Sequence, residues 1–550
     1  MPPSRVALFS GRMLFIRLLL MGAFFILAVR LIFLQIYQDS FLDKQVISRS
    51  HSEYSLLANR GKILDRNNNV LALDVRSFSV GIDLKNFKGN ILNIESLEEI
   101  LSVKKETISG LIKNKKTGFK EIKRHVSGTL RKDIENLELE GVFFRENLRR
   151  SYPQKEASSH VVGITDIDRK GIQGSELVFN NTLKGKKGKF TGIKSSGNKK
   201  IEGNRIEPQN GKDLFLTIDI RLQSIAFEEL SKAIEETGAE SGSVIIINPQ
   251  SAEILALSNY PSFNPSDRKN INDHSVFRNR ATIDVFEPGS VLKPIAMSAI
   301  LESKKVGLKH TVDTSPGWIE FAGYKTSDFK DYGLLSLSEI ISFSSNVGMV
   351  KLCAEQEIEH LTRSFKSFGI GRYPVNLLIP SREGFLAHPS EFTLRDKVSS
   401  CYGYGLTMSA IQIAQAYSVF ANDGIFKELT LFLDDQILSN SIEERVISIE
   451  TASIVRDMLI KTVNAPAGTA RNAEIKGTIV AGKTGTAIEN SKDLSYTATF
   501  AGFVPAINPE LLAVIVLHGL QGEDHSGGRV AAPVFSKIVG QSLHVLKAGS

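Results

Sequence analysis

The run from Met13 to Ile36 is almost wholly apolar, interrupted by Arg17 and Arg30, and no other stretch limits the chain so tightly. At about 1.5 Å per residue, roughly 20 helical residues cross a bilayer core of about 30 Å, so this run is predicted to span a membrane once. Arg5, Arg12 and Arg17 precede or open it, which sets its start on the cytoplasmic side. The bulky Leu31-Ile-Phe-Leu-Gln-Ile-Tyr37 offers no small-residue cleavage site, so the segment reads as a retained anchor rather than a removed leader. Arg17 reaches the inner face by snorkelling. Arg30, nearer the outer end, either snorkels or marks a helix contact inside the membrane. The predicted layout is a cytoplasmic tail over 1–12, an anchor over 13–36, and everything from about Tyr37 outside the cytoplasm.

At 550 residues the chain has room for two or three domains. Residues 37–210 mix short elements. Arg60-Gly-Lys-Ile-Leu-Asp-Arg66 and Asn67-Asn-Asn-Val-Leu-Ala read as strand, turn, strand, because asparagine tolerates left-handed turn positions. Helical spacing runs through Ile91–Leu111 and Leu130–Leu137, and Gly171–Glu176 reads as a loop. No catalytic grouping is visible there, so a spacer and docking module is expected. From 211 to 550 the pattern changes. An amphipathic helix from Leu222 to Ile234 precedes strands at Ser243–Asn248 and Glu253–Ser258, and strands at Thr478–Lys483, Thr497–Val504 and Leu511–Leu517 precede a last helix from about Ala532. Strands at both ends with helices between predict an α/β domain whose sheet is completed by distant parts of the sequence.

Three short motifs carry chemistry. In Phe286-Glu-Pro-Gly-Ser-Val-Leu-Lys-Pro294, the Pro-Gly pair predicts a turn and the apolar run after it a buried helix beginning at Ser290. A step of three on that helix puts Ser290 and Lys293 on one face, a nucleophile and its base. An ordinary lysine is neutral about once in two thousand at pH 7, so Lys293 needs its pKa lowered by about three units, or ~4 kcal/mol. Burial and a second cation can supply that. Ser344-Ser-Asn346 interrupts a helical stretch with small polar groups, and Lys483-Thr-Gly-Thr486 ends the apolar Thr478-Ile-Val-Ala run, where an edge strand is expected. S-x-x-K, then S-x-N about fifty residues on, then K-T-G about 140 further, is the active-site set of penicillin-binding proteins and serine β-lactamases.

The resemblance reaches beyond those motifs. Arg60-Gly-x-Ile-x-Asp-Arg66, Arg150-x-Tyr-Pro153, His160-Val-Val-Gly163, Gly171-x-x-Gly-x-Glu176, Tyr402-Gly-Tyr-Gly405 with Gln412, Ala421-Asn-Asp-Gly424 and Ala531-Ala-Pro-Val-Phe535 resemble class B penicillin-binding proteins over nearly the whole chain. Within that class the chain is most similar to the division-specific D,D-transpeptidases of the FtsI family. It departs from the pattern at Asn68, where glycine is frequent, and in Gly522-Glu-Asp-His-Ser526, which lacks the usual aromatic pair before Gly527-Gly528. The resemblance implies an α/β transpeptidase domain of the penicillin-binding-protein and serine β-lactamase type, an antiparallel sheet flanked by helices over 211–550. It would stand on an α+β pedestal over 37–210.

The resemblance also implies roles. Ser290 attacks the carbonyl between the terminal D-alanines of a stem peptide, Lys293 takes its proton, and the acyl group passes to an amine on a neighbouring strand. Ser344 relays a proton to the departing D-alanine, and Asn346 holds a substrate amide. Lys483 keeps Lys293 neutral by repulsion and, with Thr484 and Thr486, binds the terminal carboxylate. Gly485 clears room for the substrate backbone. The backbone N–H groups of Ser290 and Thr486 form the oxyanion hole. Expected partners are stem peptides, β-lactams, an FtsW-type glycan polymerase and other division proteins. The expected place is the inner membrane at the septum, with the bulk of the chain periplasmic.

Other classes fit less well. Gly477-Thr-Ile-Val-Ala-Gly-Lys-Thr484 matches the phosphate-loop pattern, but its middle residues are strand-like and Gly485 follows at once, so no ATPase is expected. A net charge of +7 is modest, and the lysine runs at 104–132 and 184–189 lack interleaved aromatics, so they read as solvated surface rather than a nucleic-acid site. Cys353 and Cys401 form no metal pattern and read as core residues, with a single bridge between them left open. No metal or cofactor is expected. A carboxypeptidase, an elongation-specific transpeptidase and an idle penicillin-binding sensor or scaffold remain as alternatives.

Overall fold

The computed structural model describes residues 5–37, 51–113, 118–194, 200–267, 272–433, 443–490, 494–522 and 524–548. The first residues of the expected cytoplasmic tail, 1–4, and the stretch 38–50 after the anchor lie outside them. By compactness the chain falls into two units, Met1–Asn59 with Gly185–Asn210, and Arg60–Lys184 with Gly211–Ser550.

In the first unit a helix runs Arg5–Ile32 and continues as a π-helical turn over Phe33–Tyr37. Its Gly11–Gln35 stretch has a mean hydropathy of 2.3 and none of it is buried by protein. Such an all-round apolar helix suits lipid rather than water. The unit also holds a three-stranded antiparallel sheet of His51–Leu56, Gly188–Lys194 and Lys200–Ile206, with Gly188–Lys194 central.

The second unit begins with the long strand Val70–Asp83, which pairs with Phe119–Val126, Val142–Ser151 and the short Ile63–Leu64. The turn between Ile63–Leu64 and Val70 forms as its asparagines predict. Asn68 takes φ 66°, and the Asp65 carboxylate accepts from the backbone N of Asn67, of Asn69 and, across the unit, of Ile220. The motif residues of this region meet in one buried ion network. Glu176 accepts from Arg60 Nε and Arg150 Nε, each at 2.6 Å, while Asp74 accepts from Arg60 N and Arg150 Nη1. Two details differ from expectation. The Ile91–Leu111 run is two helices, Ile91–Ile100 and Thr107–Lys113, because Ser102 and Glu106 adopt positive φ between them. Gly171–Glu176 is not loop throughout: a helical turn begins at Gly174 and brings Glu176 to its arginines.

The main sheet is fully antiparallel, in the order Glu253–Tyr260, Ser241–Asn248, Leu511–Leu520, Ser495–Val504, Ala481–Asn490. Leu512 lies opposite Ile247 and Leu517 opposite Gly242, so residues some 270 apart share a register. Alternate residues of each central strand face opposite ways. Ile245, Ile247, Val514 and Val516 enter the core that holds the Lys293–Glu302 and Ala410–Ala421 helices. Val244, Ile246, Ala513 and Ile515 enter the other, under the Ile220–Thr237 and Ala531–Ala548 helices. Both faces are covered, which is why these strands read as unbroken apolar runs.

The last strand corrects the sequence reading. It starts at Ala481, not Thr478, and runs to Asn490, so Lys483-Thr-Gly-Thr486 lies inside an edge strand rather than at its end. No helix follows Lys483, which removes the structural basis for a phosphate loop. Cys353 and Cys401 are bridged, with Cα atoms 6.6 Å apart, and both are fully buried. The bridge ties the Asn346–Ala354 helix to the residue that caps the Leu394–Ser400 helix.

Candidate active site

Ser290 is not the first residue of an α-helix. Gly289–Leu292 is a 3-10 turn, and the α-helix Lys293–Glu302 begins with Lys293 and carries Pro294 in its first turn, where a missing N–H costs nothing. With three residues per turn, positions i and i+3 eclipse, so Ser290 and Lys293 align more closely than α-helical spacing would give. Tyr417, buried in the Ala410–Ala421 helix, donates from its hydroxyl to Val291 O at 2.7 Å and holds this turn from below.

The turn rests against the edge strand. A Cβ on Gly485 would sit 2.8 Å from Pro288 O and 3.0 Å from Val291 Cγ1. The missing side chain therefore admits the serine turn. Behind the strand, a Cβ on Gly527 would lie 2.4 Å from Gly485 O, and Gly527 N donates to Thr486 Oγ1 at 3.0 Å. In the neighbouring segment His525 stacks on Tyr496 with ring centres 3.7 Å apart, an aromatic contact in the loop that departs from the resembling pattern.

The second motif arrives by a break in helix geometry. Leu337–Ser342 ends, Ser344 adopts φ 62°, and Asn346–Ala354 starts afresh. A non-glycine residue in that region stores on the order of 1 kcal/mol or more, and such strain gathers at functional sites. Asp328 holds the result in place. It accepts from Asn346 N at 2.5 Å, Val347 N at 3.0 Å and Ser345 Oγ at 2.6 Å, while Ser345 Oγ caps Gly348 N at 2.9 Å. A carboxylate at a helix N-terminus meets unsatisfied N–H groups and the positive end of the dipole.

Five of the predicted residues form one hydrogen-bonded cluster. Lys293 Nζ donates to Ser344 O at 2.5 Å and Asn346 Oδ1 at 2.7 Å, and shares a hydrogen bond with Ser344 Oγ at 3.1 Å. Lys483 Nζ donates to the same Ser344 Oγ at 3.0 Å and to Thr484 O at 3.1 Å. Both lysines are completely buried. Burial pushes Lys293 well below the ordinary lysine value, the Lys483 charge pushes it further, and Asp328 opposes them. Burial brings Lys483 down to about 7. Desolvation thus leads and repulsion follows, the two influences the sequence reading called for. Ser290, Ser344, Asn346 and Thr486 are half-buried and so remain reachable from solvent. Among the described residues no hydrogen bond joins Ser290 Oγ to Lys293 Nζ; bonds of this kind often close only in the substrate complex.

Sequence reasoning missed Asp328, Tyr417 and Thr469. Thr469 Oγ1 donates to Ser342 O and accepts from Thr484 Oγ1, which couples the second motif to the third. None of the three lies within one of the three short motifs, so the motif reading does not mark them.

The sequence pattern of the penicillin-binding protein transpeptidase domain matches residues 242–540, and that of the penicillin-binding protein dimerisation domain matches 55–216. The probable peptidoglycan D,D-transpeptidase PenA of Neisseria gonorrhoeae is 32% identical, covering 98% of this chain and 93% of that protein. The peptidoglycan D,D-transpeptidase FtsI of Buchnera aphidicola subsp. Schizaphis graminum is 34% identical over 95% of this chain and 93% of its own. Among solved structures, the transpeptidase domain of Burkholderia pseudomallei penicillin-binding protein 3 superposes with a TM-score of 0.54 at 33% identity, covering 60% of this chain and 96% of that one.

Proposed function

Because the chain belongs to the class B penicillin-binding proteins, we propose that its buried lysine pair activates Ser290 to cross-link peptidoglycan stem peptides, and that it does so in the wall built at division. It is a serine-type peptidoglycan D,D-transpeptidase. The observation that carries the residue assignment is the shared ligand of the two lysines, Ser344 Oγ, at 3.1 and 3.0 Å.

A neutral Lys293 has two N–H donors and one lone pair. Ser344 O and Asn346 Oδ1 are pure acceptors and take both donors. The lone pair is then left for a hydroxyl proton, from Ser344 at rest and from Ser290 during attack. Lys483, lowered by burial while Lys293 is lowered by burial and by the Lys483 charge as well, keeps the proton and donates to Ser344 Oγ. When Ser290 Oγ adds to the carbonyl between two D-alanines, its proton passes to Lys293 Nζ. Ser344 then hands a proton to the departing amine and is refilled from the lysine pair. The acyl-enzyme on Ser290 is released by the amine of a second stem peptide. Lys483, Thr484 and Thr486 bind the terminal carboxylate, and the N–H groups of Ser290 and Thr486 face the developing oxyanion, a contribution of about 3–4 kcal/mol per donor. β-Lactams acylate the same serine.

We read 37–210 as the pedestal and 211–550 as the transpeptidase domain, a division the two matched ranges support. The apolar Gly11–Gln35 helix supports a single-pass anchor in the inner membrane with the catalytic part outside the cytoplasm. Similarity to FtsI proteins supports the septal role and an FtsW-type polymerase as partner. Membranes carrying wild-type protein are expected to label with a fluorescent penicillin and those carrying Ser290→Ala are not; label retained in that variant overturns the nucleophile. A tagged copy is expected at midcell, and a side-wall distribution overturns the septal role.

A further inference from the structure

Beyond the two lysines, a cavity of about 600 Å³, a volume within the range of small-ligand sites, opens at the far end of the catalytic strand. Ala487, Ile488 and Glu489 line it and follow Thr486 directly, while Phe286 and Glu287 line it and precede Ser290. The two sides meet closely, for a Cβ on Gly289 would lie 3.6 Å from Ala487 Cβ. The cavity therefore adjoins the turn that carries the nucleophile.

One side chain in its wall has an unused acceptor. His518, near the end of the Leu511–Leu520 strand, is 7% exposed and lines the cavity. Its neighbours decide which ring nitrogen carries the proton. Thr497 Oγ1 donates to Glu489 Oε2 at 3.1 Å, so the single threonine proton is spent there, and the 3.0 Å contact with His518 Nδ1 runs the other way. Nδ1 thus holds the hydrogen. Burial keeps the ring below its ordinary pKa, and so neutral at pH 7, with Arg280 and Arg278 adding to that and Glu489 and Asp284 opposing it. In this tautomer Nε2 is a bare lone pair. It makes no hydrogen bond among the described residues and is not enclosed by protein, so it faces the open space of the cavity.

The charge around Nε2 calls for the same kind of partner. Glu489 Oε2 also accepts from Gly519 N at 3.0 Å, and the Glu240 side chain crosses the same glycine, where a Cβ would lie 2.7 Å from Glu240 Cδ. Two carboxylates thus converge beside His518, with no lysine or arginine paired to either among the described residues. Of the arginines in the wall, Arg278 and Arg280 both close on Asp284, and Arg382 is exposed to solvent. An ammonium group, with three N–H donors and a positive charge, answers a lone pair and two carboxylates at once. A metal ion does not, since among the described residues no group of three His, Cys, Asp or Glu side chains is placed to hold one.

We propose that this cavity binds a primary ammonium group of the stem peptide, held by His518 Nε2 with Glu240 and Glu489, an inference that rests on the transpeptidase reading of Ser290. The distances suit one residue of the peptide in particular. With its terminal carboxylate at Lys483, Thr484 and Thr486, a peptide extended along the strand advances about 3.3 Å per residue, and Glu489 lies three residues, or ~10 Å, beyond Thr486. The residue that precedes the two D-alanines reaches that far, so its side chain is the one that carries the amine.

The test uses two penicillins that differ only at the end of a flexible acyl side chain, one ending in a primary amine and the other in its acetamide. Rates of acylation of the detergent-solubilised full chain are measured for both. Wild type is expected to react about tenfold faster with the amine, the scale of one charge-assisted contact. That ratio is expected to fall below about twofold in Glu240→Gln, at an exposed position, and in His518→Phe, which keeps a ring and removes Nε2. The ratio is read within each variant, so a general loss of stability does not imitate it. Equal rates of the two penicillins with wild type, or a wild-type ratio kept in either variant, overturns the proposal and leaves Ser290 in place. Labelling by neither penicillin overturns the nucleophile itself, and the proposal with it.

Discussion

Replacing Lys483 with methionine keeps the length of the side chain and removes the charge. Burial lowers this lysine from 10.5 to about 7, and at 1.36 kcal/mol per unit the folded state bears a penalty of ~5 kcal/mol at and below neutral pH. The substitution removes that penalty. It also removes hydrogen bonds to Ser344 Oγ and Thr484 O, worth about 1 kcal/mol each, so Lys483→Met is expected to be more stable than wild type by ~2–3 kcal/mol at pH 7. The sign can be checked through pH. Between about 7 and 10.5 the folded wild type binds fewer protons than the unfolded chain, so its stability rises with pH across that window. The variant lacks this rise, and the gap between the two should close as pH approaches 10.5. Thermal unfolding of the solubilised proteins from pH 6.5 to 10 would measure both. The gain in stability should accompany a loss of function: without the neighbouring charge Lys293 loses part of its push toward neutrality, and Ser344 loses a donor. Penicillin acylation should fall by roughly 10²–10⁴, the range of general acid and base contributions. A variant less stable than wild type at pH 7, a gap that does not change with pH, or acylation within threefold of wild type would refute the reasoning.

Other expectations follow from single contacts. Asp328→Asn weakens three hydrogen bonds at the start of the Asn346–Ala354 helix, and should cost ~1–2 kcal/mol in thermal unfolding and slow acylation by about tenfold or more. Since Asp328 opposes the lowering of Lys293, the acid limb of the acylation profile should also move to lower pH in that variant, a shift that a purely structural role would not produce. Cys353→Ser opens a loop closed over 48 residues, for which chain entropy sets a loss of up to about 4 kcal/mol, read as a fall in melting temperature.

Much of the site was legible because its parts are local. The Ser290-x-x-Lys293 spacing survives whether the turn is α or 3-10, since both bring i and i+3 to one face. The polar break at Ser344 signalled a helix interruption, though not that Ser344 itself would carry the positive φ. The lowered pKa of a lysine was demanded by chemistry, but its main cause, complete burial, depends on which chain segments cover it. The edge-strand placement of Lys483 was read correctly and its boundary was not. Thr478-Ile-Val has strand-like composition, yet continuous strand pairing begins where Ala481 meets Phe503. The disulfide stayed open for the same kind of reason, because two apolar-flanked cysteines look alike whether or not their helices meet.

Periodicity, turn residues and motif spacing are properties of neighbours along the chain, and they were enough to give the apolar N-terminal helix, the alternating elements and the three short motifs. Three further matters depend on contacts between residues far apart. Ser344 Oγ lies between two amines contributed from either side of it, Asp328 fastens a helix that starts eighteen positions later, and Arg150 keeps one donor that its carboxylates leave unmatched. Desolvation and charge coupling act through space over a few ångströms, so only the packed chain could determine them.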